Sequence, residues 1–172
     1  GNFHACARLG DGTVKCWGSN AYGQLGDATT TNRTSPVGVS GLSNVVDLTA
    51  FGDSTCAIVS GGDLYCWGKN ANGQLGDGTT VSRSSPVFVL SGVGKLARSG
   101  GNDVSHNCVI LSTQSTRCWG KNDRGQLGTG SPALVTVPTQ VAGLASGNVK
   151  QVVTGGEHSC ALMTDETVEC WG

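Results

Sequence analysis

The chain has 172 residues, of which 28 are glycine, 8 cysteine and 4 proline; only 13% are charged, and the formal net charge is −1. No basic face or tail is present for electrostatic capture of nucleic acid. No apolar run approaches the ~18 residues of a membrane-spanning helix.

The N-terminal GNFHACARLG has neither a basic n-region nor an apolar h-region, so it does not read as a signal peptide. It starts inside a repeat and the C-terminus stops inside one, the expectation for a processed product or part of a longer chain. The first predicted element is a hairpin, with short runs around Cys6 and Cys16 joined by the turn GDG. CWGSNAYGQLGDATT follows from Cys16, then the proline-led run SPVGV from Ser35 and a second apolar run, VVDLTA, from Val45. A new hairpin comes next, with Cys56 and Cys66 on either side of SGGD. The same order returns as CWGKNANGQLGDGTT, SPVFVL and KLARSG, and again as CWGKNDRGQLGTGSP, VPTQV and VKQVVTG. The first cysteines stand at 6, 56, 108 and 160, and the second always follows ten residues later.

Runs of this length, rich in Val, Leu and Thr and bounded by Gly, Asn, Ser and Asp, read as short strands. Each unit supplies about four strands in about fifty residues, and the whole chain about fourteen. A sheet of that size cannot bury both faces alone and must stack on its neighbours, as the blade of a β-propeller does. The predicted class is therefore all-β, with about three and a half blades of four antiparallel strands. It forms one segment over residues 1–172: a hairpin at 1–18 and repeats at about 19–68, 69–120 and 121–172. In each GQLG segment glycine permits a tight turn. Leu25, Leu75 and Leu127 are expected to fill slots between blades, and Gln24, Gln74 and Gln126 to satisfy backbone groups.

A hairpin centred on Gly61 places Cys56 opposite Cys66, and the same count pairs Cys6 with Cys16, Cys108 with Cys118 and Cys160 with Cys170. Opposed residues on antiparallel strands have Cα atoms ~4.5–5.5 Å apart, within the range a disulfide accepts. The competing readings are reduced thiols and zinc, although structural zinc sites usually carry closely spaced cysteine knuckles that this sequence lacks. Four disulfides imply an oxidising compartment, hence an extracellular or cell-surface protein.

The pattern C-W-G-x-N-x-x-G-Q-L-G-D-G, with its preceding cysteine hairpin, resembles the RCC1 (regulator of chromosome condensation) repeat family over essentially the whole chain. The resemblance implies a propeller, usually of seven blades. It is specific for fold and broad for function, because the family spans exchange factors, enzyme-inhibiting proteins and interaction scaffolds. The sequence departs from the family's histidine lead-in at Ser54, and GGNDVSHNC inserts residues before Cys108.

Residues that recur in every unit read as structural, and those individual to a unit read as candidates for recognition. The tryptophans at 17, 67, 119 and 171 are expected to pack within or between blades, with sugar stacking as the alternative. His4, His106 and His158 share one position and have no legible catalytic partner. Asp27 and Asp77 bring one carboxylate per loop, too few for calcium, and read as turn caps. Candidate partner contacts are Arg33 and Arg83 in the polar loops, with Tyr22 and Arg124, and also Phe51 and Phe88. Asn32 opens an N-x-T glycosylation acceptor.

The sequence thus predicts a non-catalytic, secreted or surface-displayed scaffold that recognises a protein or glycan through its loops. No metal, cofactor or nucleic acid is expected. The alternatives are an inhibitor that covers a secreted enzyme with one propeller face and a structural subunit of an extracellular assembly. An open arc of blades would offer its end faces for self-association.

Overall fold

The computed structural model describes residues 1–99, 104–144 and 147–172. Among them are fifteen strands, no helix and four sheets. Part of the insertion expected before Cys108 lies outside the described residues.

The first sheet holds β1 (His4–Arg8), β2 (Val14–Gly18) and β3 (Arg33–Gly38) in that order. The second runs β4 (Val45–Phe51), β5 (Ser54–Val59), β6 (Leu64–Gly68) and β7 (Arg83–Leu90). The third joins β8 (Val93–Leu96), β10 (His106–Leu111), β11 (Thr116–Gly120) and β12 (Val135–Gln140). The fourth joins β9 (Arg98–Ser99), β13 (Val149–Thr154), β14 (Ser159–Met163) and β15 (Val168–Trp171). Each full blade thus takes its outer strand, the proline-led run, from the repeat that follows its hairpin. The sheets are offset by one strand from the sequence repeat.

The expected fourteen strands become fifteen because KLARSG divides at Ala97. Leu96 pairs antiparallel with Val109 of β10, whereas Arg98 and Ser99 pair in parallel with Val153 and Thr154 of β13. One apolar run serves as the innermost strand of the third blade and then reaches across to the fourth.

The hairpin register is the expected one, with Cys6 opposite Cys16, Cys56 opposite Cys66, Cys108 opposite Cys118 and Cys160 opposite Cys170. Disulfides close all four pairs, each with Cα atoms 4.1 Å apart. Chain entropy for so short a loop suggests about 3 kcal/mol or less per bridge. The two central bridges are fully buried, while Cys170 is exposed. Limited treatment with a soluble reductant should therefore open Cys160–Cys170 before Cys56–Cys66 or Cys108–Cys118. Alkylation followed by peptide mass mapping reads the order, and simultaneous opening of all four would contradict it.

The core sits between the blades in three clusters. Val14, Cys16, Leu25, Ala57 and Trp67 fill the first joint. Ile58, Leu64, Leu75, Val109 and Trp119 fill the second. Leu127, Val141, Val152 and Ala161 fill the third, with Trp171 against them.

Candidate functional site

The recurring words of the repeat build two things: a joint between blades and a loop held beside it. At each joint the indole of one blade reaches the GQLG turn of the blade before. Trp67 Nε1 donates to the Gln24 carbonyl at 3.0 Å, Trp119 to the Gln74 carbonyl at 2.9 Å and Trp171 to the Gln126 carbonyl at 3.0 Å. A Cβ at Gly76 would lie 2.6 Å from the Trp119 indole nitrogen, and φ there is +78°, so the ring can enter only against glycine. Leu25, Leu75 and Leu127 are fully buried in these slots, as the sequence led us to expect.

Two of the three joints add a histidine. His4 Nε2 lies 2.9 Å from Thr55 Oγ1, and that hydroxyl donates to the Gln24 carbonyl. His106 Nε2 lies 2.9 Å from Ser159 Oγ, which donates to the Gln126 carbonyl. Each hydroxyl proton is already committed, so the ring must donate from Nε2, and the imidazole is the neutral Nε2–H form. Both Nδ1 atoms are buried without a hydrogen-bond partner. Burial is the main cause that lowers both pKa values to about 4, and His158 adds to the effect at His106. The middle joint has Ser54 and Asn107 at these places instead.

The loop beside each joint is organised by the asparagine of N-x-x-G-Q-L-G, a role the sequence reading missed. Asn70 Oδ1 accepts from Leu75 N at 2.9 Å, while its Nδ2 reaches Asp77 Oδ1 at 3.0 Å and the carbonyls of Thr79 and Val81 at 3.1 Å. Asn20 repeats this pattern, and Asn122 bonds the carbonyls of Ser131 and Ala133. The expected glutamine bonds are also present, each side-chain Oε1 accepting from the backbone N–H two residues earlier.

Arg33 and Arg83 turn inward along their loops. Arg33 pairs with Asp27 at 2.8 Å and Arg83 with Asp77 at 2.8 Å. Desolvation alone would raise both carboxyls, but hydrogen bonds from Thr29, Arg33 and Asn20, or from Thr79, Arg83 and Asn70, hold them below the usual range. Asn32 is exposed, and its Oδ1 accepts from Asn20 N at 2.8 Å. Tyr22 is exposed with Lys69 Nζ 4.9 Å above its ring, and Arg124 is exposed at the equivalent place in the last unit. Phe88 is exposed and stands edge-on to Tyr65, whereas Phe51 is buried in the second joint and offers nothing to a partner.

The loops at 27–32, 77–82 and 129–134 leave the same end of consecutive blades, opposite the hairpin turns. Together they make a rim. Its backbone is pinned from below, and it exposes Val81 and Leu134 at 60% and 50%, with Tyr22 exposed in the turn that leads into the first loop.

Four-stranded sheets stacked through repeated joints define the class: the chain is part of a β-propeller, about three and a half blades of it. The chain belongs to the RCC1 repeat family, whose regulator of chromosome condensation repeat matches residues 61–105 and 118–162, with a second form of the repeat matching 1–24 and 45–74. It is 29% identical to the ultraviolet-B receptor UVR8 of Arabidopsis thaliana over 177 aligned residues, covering 100% of this chain and 40% of that protein. It is also 29% identical to the human E3 ubiquitin-protein ligase HERC2, covering all of this chain and 4% of that one. Among solved structures, human WBSCR16 superposes with a TM-score of 0.86 at 22% identity over 100% of this chain and 45% of that one. Yeast RCC1 (Prp20), solved bound to Kap60, superposes at 0.83 with 20% identity over 100% of this chain and 42% of that one. The chain therefore spans less than half the length of these relatives.

Proposed function

We propose that the chain is a non-catalytic protein-binding scaffold of an oxidising compartment, secreted or displayed on a cell surface, and that the loop rim makes the contacts. The observation that supports this most directly is the division of labour in each repeat. Buried asparagines hold all three loops, joined in the first two by an aspartate paired with a half-exposed arginine, and apolar side chains such as Val81 and Leu134 are left outward. A rim fixed in advance loses little entropy on binding, and exposed aromatic and aliphatic anchors are what protein interfaces use. The four disulfides support the compartment.

A photo-crosslinking residue at Val81 tests the rim against one at the exposed Ser60 in a hairpin turn on the opposite edge. Cross-linking in extracellular fluid from the source is expected to yield a discrete adduct from position 81 only. Equal adducts from both positions, or from position 60 alone, would overturn the rim. An adduct whose partner is a secreted enzyme that loses activity on binding would favour the inhibitor reading instead.

A further inference from the structure

The innermost strands of three consecutive sheets share one irregularity at one place. Asp47 pairs with Ile58, Lys95 with Ile110 and Gln151 with Leu162, and each partner stands two residues after the first cysteine of its hairpin. In every case the register slips directly before that pair, so Val46, Gly94 and Lys150 are extra residues. A bulge bends its strand and re-aims the side chains beside it. Three such bulges bring Asp47, Lys95 and Gln151 to one level on successive innermost strands.

The charges at this level do not balance. Asp47 is met by Arg98, whose Nη2 lies 3.2 Å from Oδ1, and Leu48 N donates to the same oxygen at 2.9 Å. Lys150 is met by Glu166 at 2.7 Å. Lys95 Nζ donates to the Lys150 carbonyl at 3.0 Å and has no carboxylate at ion-pair distance among the described residues. The exposed Gln151 side-chain amide is unbonded among the described residues. Asp47, Lys95, Leu96, Arg98, Lys150 and Gln151 line one hollow of about 300 Å³. Three cations and one carboxylate thus face it, in a chain whose net charge is −1. Its walls belong to β4, β8, β9 and β13, each paired within its sheet, and none of them is the first or last strand of the chain.

We infer that this hollow binds the tetrahedral oxyanion of a phosphate or sulfate monoester carried by a sugar-sized molecule. Lys95 supplies the uncompensated charge, and hydrogen bonds from a charged donor to such an oxyanion are the strong ones. Arg98 and Lys150 add to the positive field. The Gln151 amide and the Asp47 carboxylate serve the hydroxyl groups of the ligand. The volume falls at the lower end of the range for small-ligand sites. The site is separate from the loop rim and stands whether or not the rim binds a partner.

The probes are glucose 6-phosphate, glucose 6-sulfate and glucose, titrated calorimetrically into the intact disulfide-bonded protein and into its Lys95→Gln and Lys15→Gln variants. Lys15 is an exposed lysine of β2 outside the hollow. At least one ester is expected to bind saturably and equally to the unmodified protein and to Lys15→Gln. The same ester should bind Lys95→Gln about tenfold or more weakly, the loss of one charge-assisted bond. Lys95 is exposed, so the urea midpoint of Lys95→Gln should match that of the unmodified protein. Binding of one ester alone supports the proposal and assigns its source, phosphate or sulfate. Failure of both esters to bind, equal affinity for Lys95→Gln, or glucose binding as tightly as its esters overturns the proposal.

Discussion

Replacing Trp119 with alanine is expected to destabilise the protein by about 3–5 kcal/mol, the range for removing a fully buried aromatic side chain. Trp119 is wholly buried in the second joint, and its indole N–H supplies a bond to the Gln74 carbonyl. Trp119→Phe keeps most of the ring and removes that donor, so it should cost about 1–3 kcal/mol for a buried carbonyl left unpaired. Trp17 provides the control. It has the same place in its hairpin, but its ring is partly exposed, no bonded acceptor lies beside it among the described residues, and Trp17→Ala should cost about 1 kcal/mol or less. Urea midpoints of the three variants read the differences. Equal losses at positions 17 and 119 would mean that the joints are not where the stability lies.

The second large effect is acid destabilisation through His4 and His106. Both are neutral in the folded protein, with pKa values lowered from 6.5 to about 4. A histidine lowered by folding contributes its full stability above pH 6.5, where neither state is protonated. Below 6.5 the unfolded chain takes up the proton first, so stability falls until the folded ring also titrates near pH 4. At 1.36 kcal/mol per unit, each ring accounts for about 3 kcal/mol across that window. Stability measured from pH 7 to 4 should therefore fall steeply, and His106→Gln should remove about half of the slope between 6.5 and 4. The middle joint shows the pairing that avoids the effect. Exchanging His106 and Ser159 for the Ser54 and Asn107 types, H106S with S159N, should flatten the curve as H106Q does. A wild-type curve flat from pH 7 to 5 would contradict this account.

Much of the architecture was legible because it rests on local spacing. A turn of Gly and Asp midway between cysteines ten residues apart sets the hairpin register, and the fixed return of the word after each tryptophan marks the blades. What escaped the sequence was the chemistry that bridges long separations. His4 meets Thr55 across 51 residues and His106 meets Ser159 across 53, and no periodicity links such pairs. Within the loops, Asn20, Asn70 and Asn122 were plainly repeated. Nothing in a string of Asn, Gln and Gly says which amide will face two loop carbonyls at once. Arg33 and Arg83 looked like free loop charges because their aspartates lie six residues back, a spacing that pairs only when the loop curls. Phe51 was read outward because it is peculiar to its unit, but a residue can be peculiar and still fill a gap in the core.

The one-strand offset between sheet and repeat also bears on how the molecule comes into being. A ribosome delivers β4, β5 and β6 first, and the strand that completes their sheet arrives with the next repeat's loop. At every stage of synthesis the newest blade is unfinished and its indole slot unformed. The disulfide, by contrast, joins residues ten apart on a hairpin that already exists. Covalent closure can thus precede packing in each repeat, so that every nascent blade waits for its neighbour as a bolted hairpin rather than a loose strand pair.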